Sequence, residues 1–382
     1  MHFKPTTIIS ALSTTLSAIL VTTAVKASPL EPISDSFKHR FHSQLKKEQV
    51  PGGAFVIVEG SQILKLSYYG KRSKGGNLNV NANTVFRLAS VSKTFAGSLA
   101  SMLVQEEKLD WQQPINTYLP SFKLADPNLS KQINLGHIIG QSTGLMPNSY
   151  DNLINADLNI DKIISKFSEL TPICNPGVCY SYQNVAFSFI ENAIEQASGQ
   201  SYEQLINQRI FKPLNMKTAS IGFEAFQQQS NRAEPHVKTK SGFQKVKVKP
   251  NYYQLAPAVG VNASISDMSK WLMANMGAAP EVLSSAVIAD ITTAGVRTTK
   301  ELHRRDWKHH LDNAHYGKGW RVYEFEGHSL IYHAGWVAGF VAQISYSPEL
   351  NVGMVLLLNA ESRSIAKLTT SFWSDVFKQH QK

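Results

Sequence analysis

FRLASVSKTFAG, residues 86–97, places Ser90 and Lys93 in a Ser-x-x-Lys spacing. The same spacing recurs at Ser43 with Lys46 and at Ser364 with Lys367, so the pattern alone decides nothing. Position does. Ser43 falls inside an early charged helix and Ser364 inside the last one. Ser90 instead follows a β-rich segment and opens a run in which Phe95, Leu99, Met102 and Leu103 share one helical face. At a helix start, Lys93 stands one turn from Ser90 on the same side. Its amine can take the hydroxyl proton once desolvation or a nearby cation lowers its pKa. The helix N-terminus adds partial positive charge that stabilises an oxyanion.

Before this stretch, 35–48 is predicted helical, and GAFVIVEG (53–60) with QILKLSYYG (62–70) reads as a β-hairpin. After it the chain is mostly helix and loop. VAFSFIENAIEQASG carries Phe187, Ile190, Ile194 and Ala197 at helical intervals, with Gly199 as a C-terminal cap. SISDMSKWLMANMG begins with Ser264 three residues before Asp267, a capping-box start, and stops at Gly277. Strands return at 328–335, 339–348 and 352–359, followed by a helix from about Arg363 to Gln379.

Strands at both ends imply an α/β (α+β) fold: a mostly antiparallel sheet built from both termini and flanked by helices, with a helical region inserted between its halves. The sheet part is expected over about 35–90 and 316–380, and the insert over about 91–315. Ser90 falls at their boundary, where ligand pockets tend to form.

Residues 1–27 read as an export signal: Lys4 precedes the uncharged run TIISALSTTLSAILVTTAV, and Val25-Lys26-Ala27 offers a cleavage site before Ser28. The mature domain is then 28–382, and a periplasmic or secreted location is expected. The formal charge of +10 allows association with an anionic cell envelope, but a solvated basic surface is the preferred reading of it. No compact stripe of Arg, Lys and aromatic residues points to nucleic acid. The two cysteines, Cys174 and Cys179, flank a Pro176-Gly177 turn that can bring them within disulfide range; two free buried thiols are the alternative.

Two later stretches complete a pattern. PGVCYSYQNVAF holds Tyr182-Gln183-Asn184 before a helix, and IYHAGWVAGF holds His333-Ala334-Gly335 at a strand end. With Ser90-x-x-Lys93, and with DMSKW, YGKGW and PLNM in support, the chain resembles the class C β-lactamase and penicillin-binding serine hydrolase superfamily from about Asp35 to Phe377. The resemblance implies an acyl-enzyme on Ser90, with Lys93 and the Tyr182 hydroxyl handling protons. It places Asn184, His333 and Gly335 at the substrate, and the backbone N–H groups of Ser90 and Trp336 in an oxyanion hole. It implies no metal or cofactor, a monomer, and a small-molecule or peptidoglycan-derived peptide substrate.

His-Ala-Gly departs from the Lys-Thr-Gly typical of class C β-lactamases and is similar to some D-alanyl-D-alanine carboxypeptidases, esterases and D-amino-acid peptidases. It weakens the case for efficient β-lactam hydrolysis without touching acyl transfer. The readings that follow are hydrolysis of amide or peptide bonds of the β-lactam or D-Ala-D-Ala type, a carboxylesterase or D-amino-acid peptidase, and a non-catalytic envelope-binding protein.

Two other patterns compete. GQSTG (140–144) matches the nucleophile elbow of α/β-hydrolases, but helical spacing precedes it and Leu-Met-Pro-Asn follows it, so Ser142 reads as structural. His303, His309, His310 and His315 have zinc-binding side chains without a recognised ligand spacing, and read as a basic loop over the cleft.

Overall fold

The computed structural model describes residues 1–2 and 28–380. The expected export signal lies outside the described residues. Among those residues, no helix is long and apolar enough to cross a membrane.

Seven antiparallel strands form the main sheet: β1 (Gly52–Glu59), β2 (Gln62–Gly70), β3 (Leu311–Tyr316), β4 (Arg321–Phe325), β5 (His328–Val337), β6 (Phe340–Ser347) and β7 (Val352–Leu358), in spatial order β2-β1-β7-β6-β5-β4-β3. The first hairpin joins the last strands through β1 and β7, with Gly53 opposite Leu358. The sheet is thus made from both ends of the chain.

Both faces of the sheet are covered, so its strands bury alternating residues on opposite sides. In β1, Phe55 and Ile57 pack with Phe37 and Phe41 of helix α1 (Glu31–Glu48) and with Phe372 and Trp373 of the last helix. Ala54, Val56 and Val58 turn the other way, into the core shared with the helical insert.

At the centre of that core runs helix α2 (Ser92–Gln105), buried from Ser92 to Leu103. Helix α3 (Ile265–Asn275) starts with the expected capping box between Ser264 and Asp267. Its Trp271 stacks on Phe95 of α2 at 4.1 Å and donates to Thr94 Oγ1 at 3.0 Å. Gly97 lets the β3–β4 turn approach, since a Cβ there would strike the Lys318 carbonyl.

The sheet's second segment begins at Leu311, ahead of the Tyr316 boundary read from the sequence. LDNAHY buries only Leu311, Ala314 and Tyr316, so this edge strand lacks an apolar run. The helix expected over 185–199 is two helices, Val185–Ser188 and Ile190–Ser198, meeting at Phe189. The last helix, α4, spans Ser364–His380.

Candidate active site

Strand Val85–Arg87 pairs with Val261–Ser264, with Arg87 opposite Asn262, and this small sheet carries the chain up to Ser90. Ser90 lies in the 3₁₀ turn Ala89–Val91 just ahead of α2, rather than within the α-helix itself. Ala89 has φ +50°, a left-handed conformation that costs a non-glycine residue on the order of 1–3 kcal/mol. Packing holds it there, because the backbone of β5 passes directly over the turn. A Cβ on Gly335 would meet the Leu88 carbonyl and come within 2.8 Å of Ser90 N, so only glycine fits.

Lys93 is fully buried, with its amine 3.4 Å from Ser90 Oγ. It also donates to Asn184 Oδ1 at 2.7 Å and to the Ala258 carbonyl at 3.2 Å. None of these partners is a carboxylate. Burial therefore holds its pKa well below the ordinary lysine value; Asp151 pulls against that and the charge of Arg321 adds to it. Asn184 reaches Asp151 in turn, donating from Nδ2 to Oδ2 at 2.7 Å.

Tyr182 is half-buried, with Lys93 Nζ 4.8 Å from its ring centroid. Burial pushes its phenol up to about 12, against the pull of Arg321 and a hydrogen bond with the Ser90 hydroxyl. The site thus combines a tyrosine that keeps its proton at neutral pH with a lysine biased toward losing its own.

The tyrosine loop is held from below by the GQSTG segment. Gln141 donates to the Gln183 carbonyl at 3.0 Å and accepts from Gln183 N at 2.6 Å. Ser142 is buried, and its carbonyl accepts from Gly177 N at 2.7 Å, which ties it to the loop closed by the Cys174–Cys179 disulfide. It is remote in role from a nucleophile elbow: no strand leads into it.

Ser90, Tyr182, Asn184, Gly335 and Trp336 line one pocket of about 510 Å³. Trp336 is 46% exposed at its rim. Pairing between β4 and β5 ends at Arg321 opposite Tyr332, so the following residues of β5 have no β4 partner and form an open strand edge beside the pocket. His333 is absent from the lining. It is fully buried, with Nε2 3.1 Å from the Tyr316 hydroxyl and Nδ1 3.0 Å from the Ala334 carbonyl. Burial and the charges of Arg321 and Lys93 hold its pKa well below the usual histidine value, which leaves the imidazole neutral.

Three residues near the centre carry no local sequence signal. Arg321 is buried between the rings of Tyr182 and Tyr316, at 5.6 and 5.8 Å. Glu301 pairs with Arg321 and Arg304, each at 2.7 Å; burial opposes its charge, yet these cations hold it at about 2. Asp151 lies behind Asn184. The supporting match YGKGW ends one residue before Arg321 and does not include it. Of the clustered histidines, His310 pairs with Glu326 at 2.6 Å and stacks on Phe325. Among the described residues, no group of three or more His, Cys, Asp or Glu could hold a metal ion.

The Beta-lactamase family model matches residues 37–370 of the chain. The chain belongs to the β-lactamase family. Its curated relatives within reach of comparison include an unguisins hydrolase of Aspergillus campestris, 23% identical over 340 residues and covering 86% of this chain. Protein flp of Staphylococcus aureus is 23% identical over 329 residues and covers 85% of it. The chain spans 62% of the length of each of these relatives. The octameric penicillin-binding protein homologue from Pyrococcus abyssi superposes with a TM-score of 0.76 at 20% identity, over 87% of this chain and 75% of that one. At that identity the shared property is the fold: mixed α/β, with a large antiparallel sheet and flanking helices. For a β-lactamase-family serine hydrolase, the Ser90–Lys93–Tyr182 cluster is the place to seek the chemistry.

Proposed function

We propose that this protein is an exported serine hydrolase that forms an acyl-enzyme on Ser90 and cleaves amide or peptide bonds of the β-lactam or D-Ala-D-Ala type. The observation that carries the reading is Lys93: a buried amine 3.4 Å from a serine hydroxyl, with no carboxylate in contact to hold its proton. In the resting site Lys93 is the proton acceptor. Tyr182, at about 12, is protonated and relays a proton between Lys93, Ser90 Oγ and the leaving group.

Ser90 Oγ attacks the carbonyl carbon as its proton passes to Lys93. The N–H groups of Ser90 and Trp336 receive the oxyanion, and Asn184 orients both Lys93 and the substrate amide. The leaving amine departs with the proton returned through Tyr182. Water then attacks the ester carbonyl, gives up its proton along the same path and releases Ser90. The open edge of β5 suits an extended substrate lying as one more antiparallel strand. A substrate carboxylate would be met by Arg304 and Arg363, which line the pocket, since His333 does not reach it.

A carboxylesterase on the same residues is the second reading. It is favoured by the neutral, buried His333, which supplies no cation at the third motif. The N-terminal 27 residues are proposed as the export signal; the N-terminal mass of the protein recovered outside the cytoplasm checks this.

The test is to mix the purified protein with a penicillin and follow intact mass over time, with Ser90→Ala in parallel. Mass added to the wild type alone supports acylation of Ser90, and the adduct's lifetime separates a peptidase-like from a β-lactamase-like enzyme. No adduct and no loss of penicillin would sink the β-lactam reading. Turnover of p-nitrophenyl esters by the same serine would then establish the esterase.

A further inference from the structure

Three residues before Ser90, Arg87 is 4% exposed. Its guanidinium lies 4.1 Å from the centroid of the Tyr253 ring, and no carboxylate among the described residues pairs with it. Nε and Nη2 are buried without a hydrogen-bond partner. Tyr253 gives its hydroxyl proton to Asn262 Oδ1 at 2.7 Å, and its oxygen accepts a hydrogen bond from the guanidinium, an uncharged partner that leaves the cation unneutralised. Arginine keeps its charge in proteins, so it cannot escape this burial by losing a proton. An uncompensated buried cation is costly, and it is stabilised by an anion that brings both charge and acceptors.

Arg87 is among the residues that line a cavity of about 360 Å³. Its walls are of two kinds. Val237, Val246, Val248 and Val337 are aliphatic, while Lys247 and Lys249 add positive charge at its lining. Lys249 lies 3.9 Å from the exposed Asp157, too long a contact to be a tight pair. Val337 directly follows Trp336 of the catalytic pocket, so the cavity adjoins the open end of β5.

We infer that the cavity at Arg87 is a binding site for a carboxylate carried on an aliphatic chain. The carboxylate sits at the guanidinium and the chain lies along the valines. The carboxylate arrives either on the acyl portion of the substrate, an arm that rests on the Ser90 reading, or on a free effector, which does not depend on it.

Calorimetric titration of the full protein with sodium hexanoate at fixed ionic strength, with 1-hexanol as the uncharged control, tests the site directly. Saturable binding of hexanoate but not hexanol is expected. Lys247→Glu, a change at an exposed residue, should weaken it, and Arg87→Met should weaken it by about tenfold or more, the scale of a hydrogen bond to a charged group. If Arg87→Met does not fold, Val248→Trp, which fills the cavity and leaves the arginine, serves in its place. No saturable binding, or an affinity unchanged in all these variants, would overturn the proposal.

The source of the carboxylate is read from two p-nitrophenyl esters, of hexanoic acid and of adipic acid with one free carboxylate. A higher kcat/KM for the adipate ester that Lys247→Glu removes assigns the site to the substrate. Hexanoate binding without that preference assigns it to an effector. Should Ser90 turn over no ester at all, the calorimetry still decides the site, so the two readings fail separately.

Discussion

Lys93 Nζ lies closer to Asn184 Oδ1, at 2.7 Å, than to Ser90 Oγ, at 3.4 Å. The nearer partner is an uncharged amide, which accepts a hydrogen bond without holding an ammonium ion in place. Replacing that amide by a carboxylate reverses the effect. Asn184→Asp should raise the Lys93 pKa and move the acidic limb of the pH–kcat/KM profile up by about 1 to 3 units. Activity lost at neutral pH should return at alkaline pH. A limb that stays in place would mean that Lys93 is not the group it reports.

The lysine's burial also has a sign in stability. Its folded pKa lies well below 10.5, so between those values the folded state binds fewer protons than the unfolded state. Stability therefore rises with pH across that window, and the full penalty of burying the charge applies below it. Lys93→Met should abolish activity yet raise stability, most at low pH and not at all above about 10.5. Urea unfolding at several pH values measures this; a pH-independent difference between the two proteins would contradict it.

Gly335 admits the β5 backbone to within contact of the Ala89–Val91 turn that carries Ser90. Gly335→Ala forces Leu88–Ser90 and β5 apart. The expected cost is about 1–3 kcal/mol of stability, with a loss of kcat of about 100-fold or more as the oxyanion donors separate. Steady-state kinetics beside thermal unfolding separates the two effects. Unchanged kcat would show that the two backbones do not need this spacing.

Glu301 balances Arg321 and Arg304 in the wall of the pocket. Glu301→Gln leaves Arg321 buried and unpaired and should cost about 3–5 kcal/mol. In the wild type, the folded carboxyl is held at about 2, below its ordinary 4.5. Its stabilisation is therefore present above 4.5 and lost as pH falls through about 2. The unfolding free energies of the wild type and Glu301→Gln should accordingly converge on acidification. Parallel curves would place the stabilisation elsewhere.

Elements with a local signature were legible in the sequence. The first hairpin, strands β5 to β7 and the capped helix α3 each carry apolar periodicity or a cap that acts within a few residues. β3 was not, because an edge strand needs few apolar residues, and neither was β4, a short strand that buries only Tyr323 and Phe325. At the site, Ser90, Lys93, Tyr182 and Asn184 were nameable from short motifs, and they converge in space. Arg321, Glu301 and Asp151 were not, since each reaches the centre only through tertiary packing far along the chain. His333 shows the limit of a motif. Its place in His-Ala-Gly suggested contact with the substrate, whereas the structure buries its ring against Tyr316, with Nε2 3.1 Å from the Tyr316 hydroxyl.

β1 pairs with β7 across about 300 residues of intervening chain. The hairpin is synthesised well before the strand that covers its inner edge, since β7 follows about 300 residues later. Until then that edge is unpaired and open to other chains. Productive assembly of the sheet must therefore wait until β7 has been made, with the slow search expected of distant contacts. A chain that threads through a narrow opening before it folds would meet no premature sheet, and a holdase that masks β1 would meet its natural client.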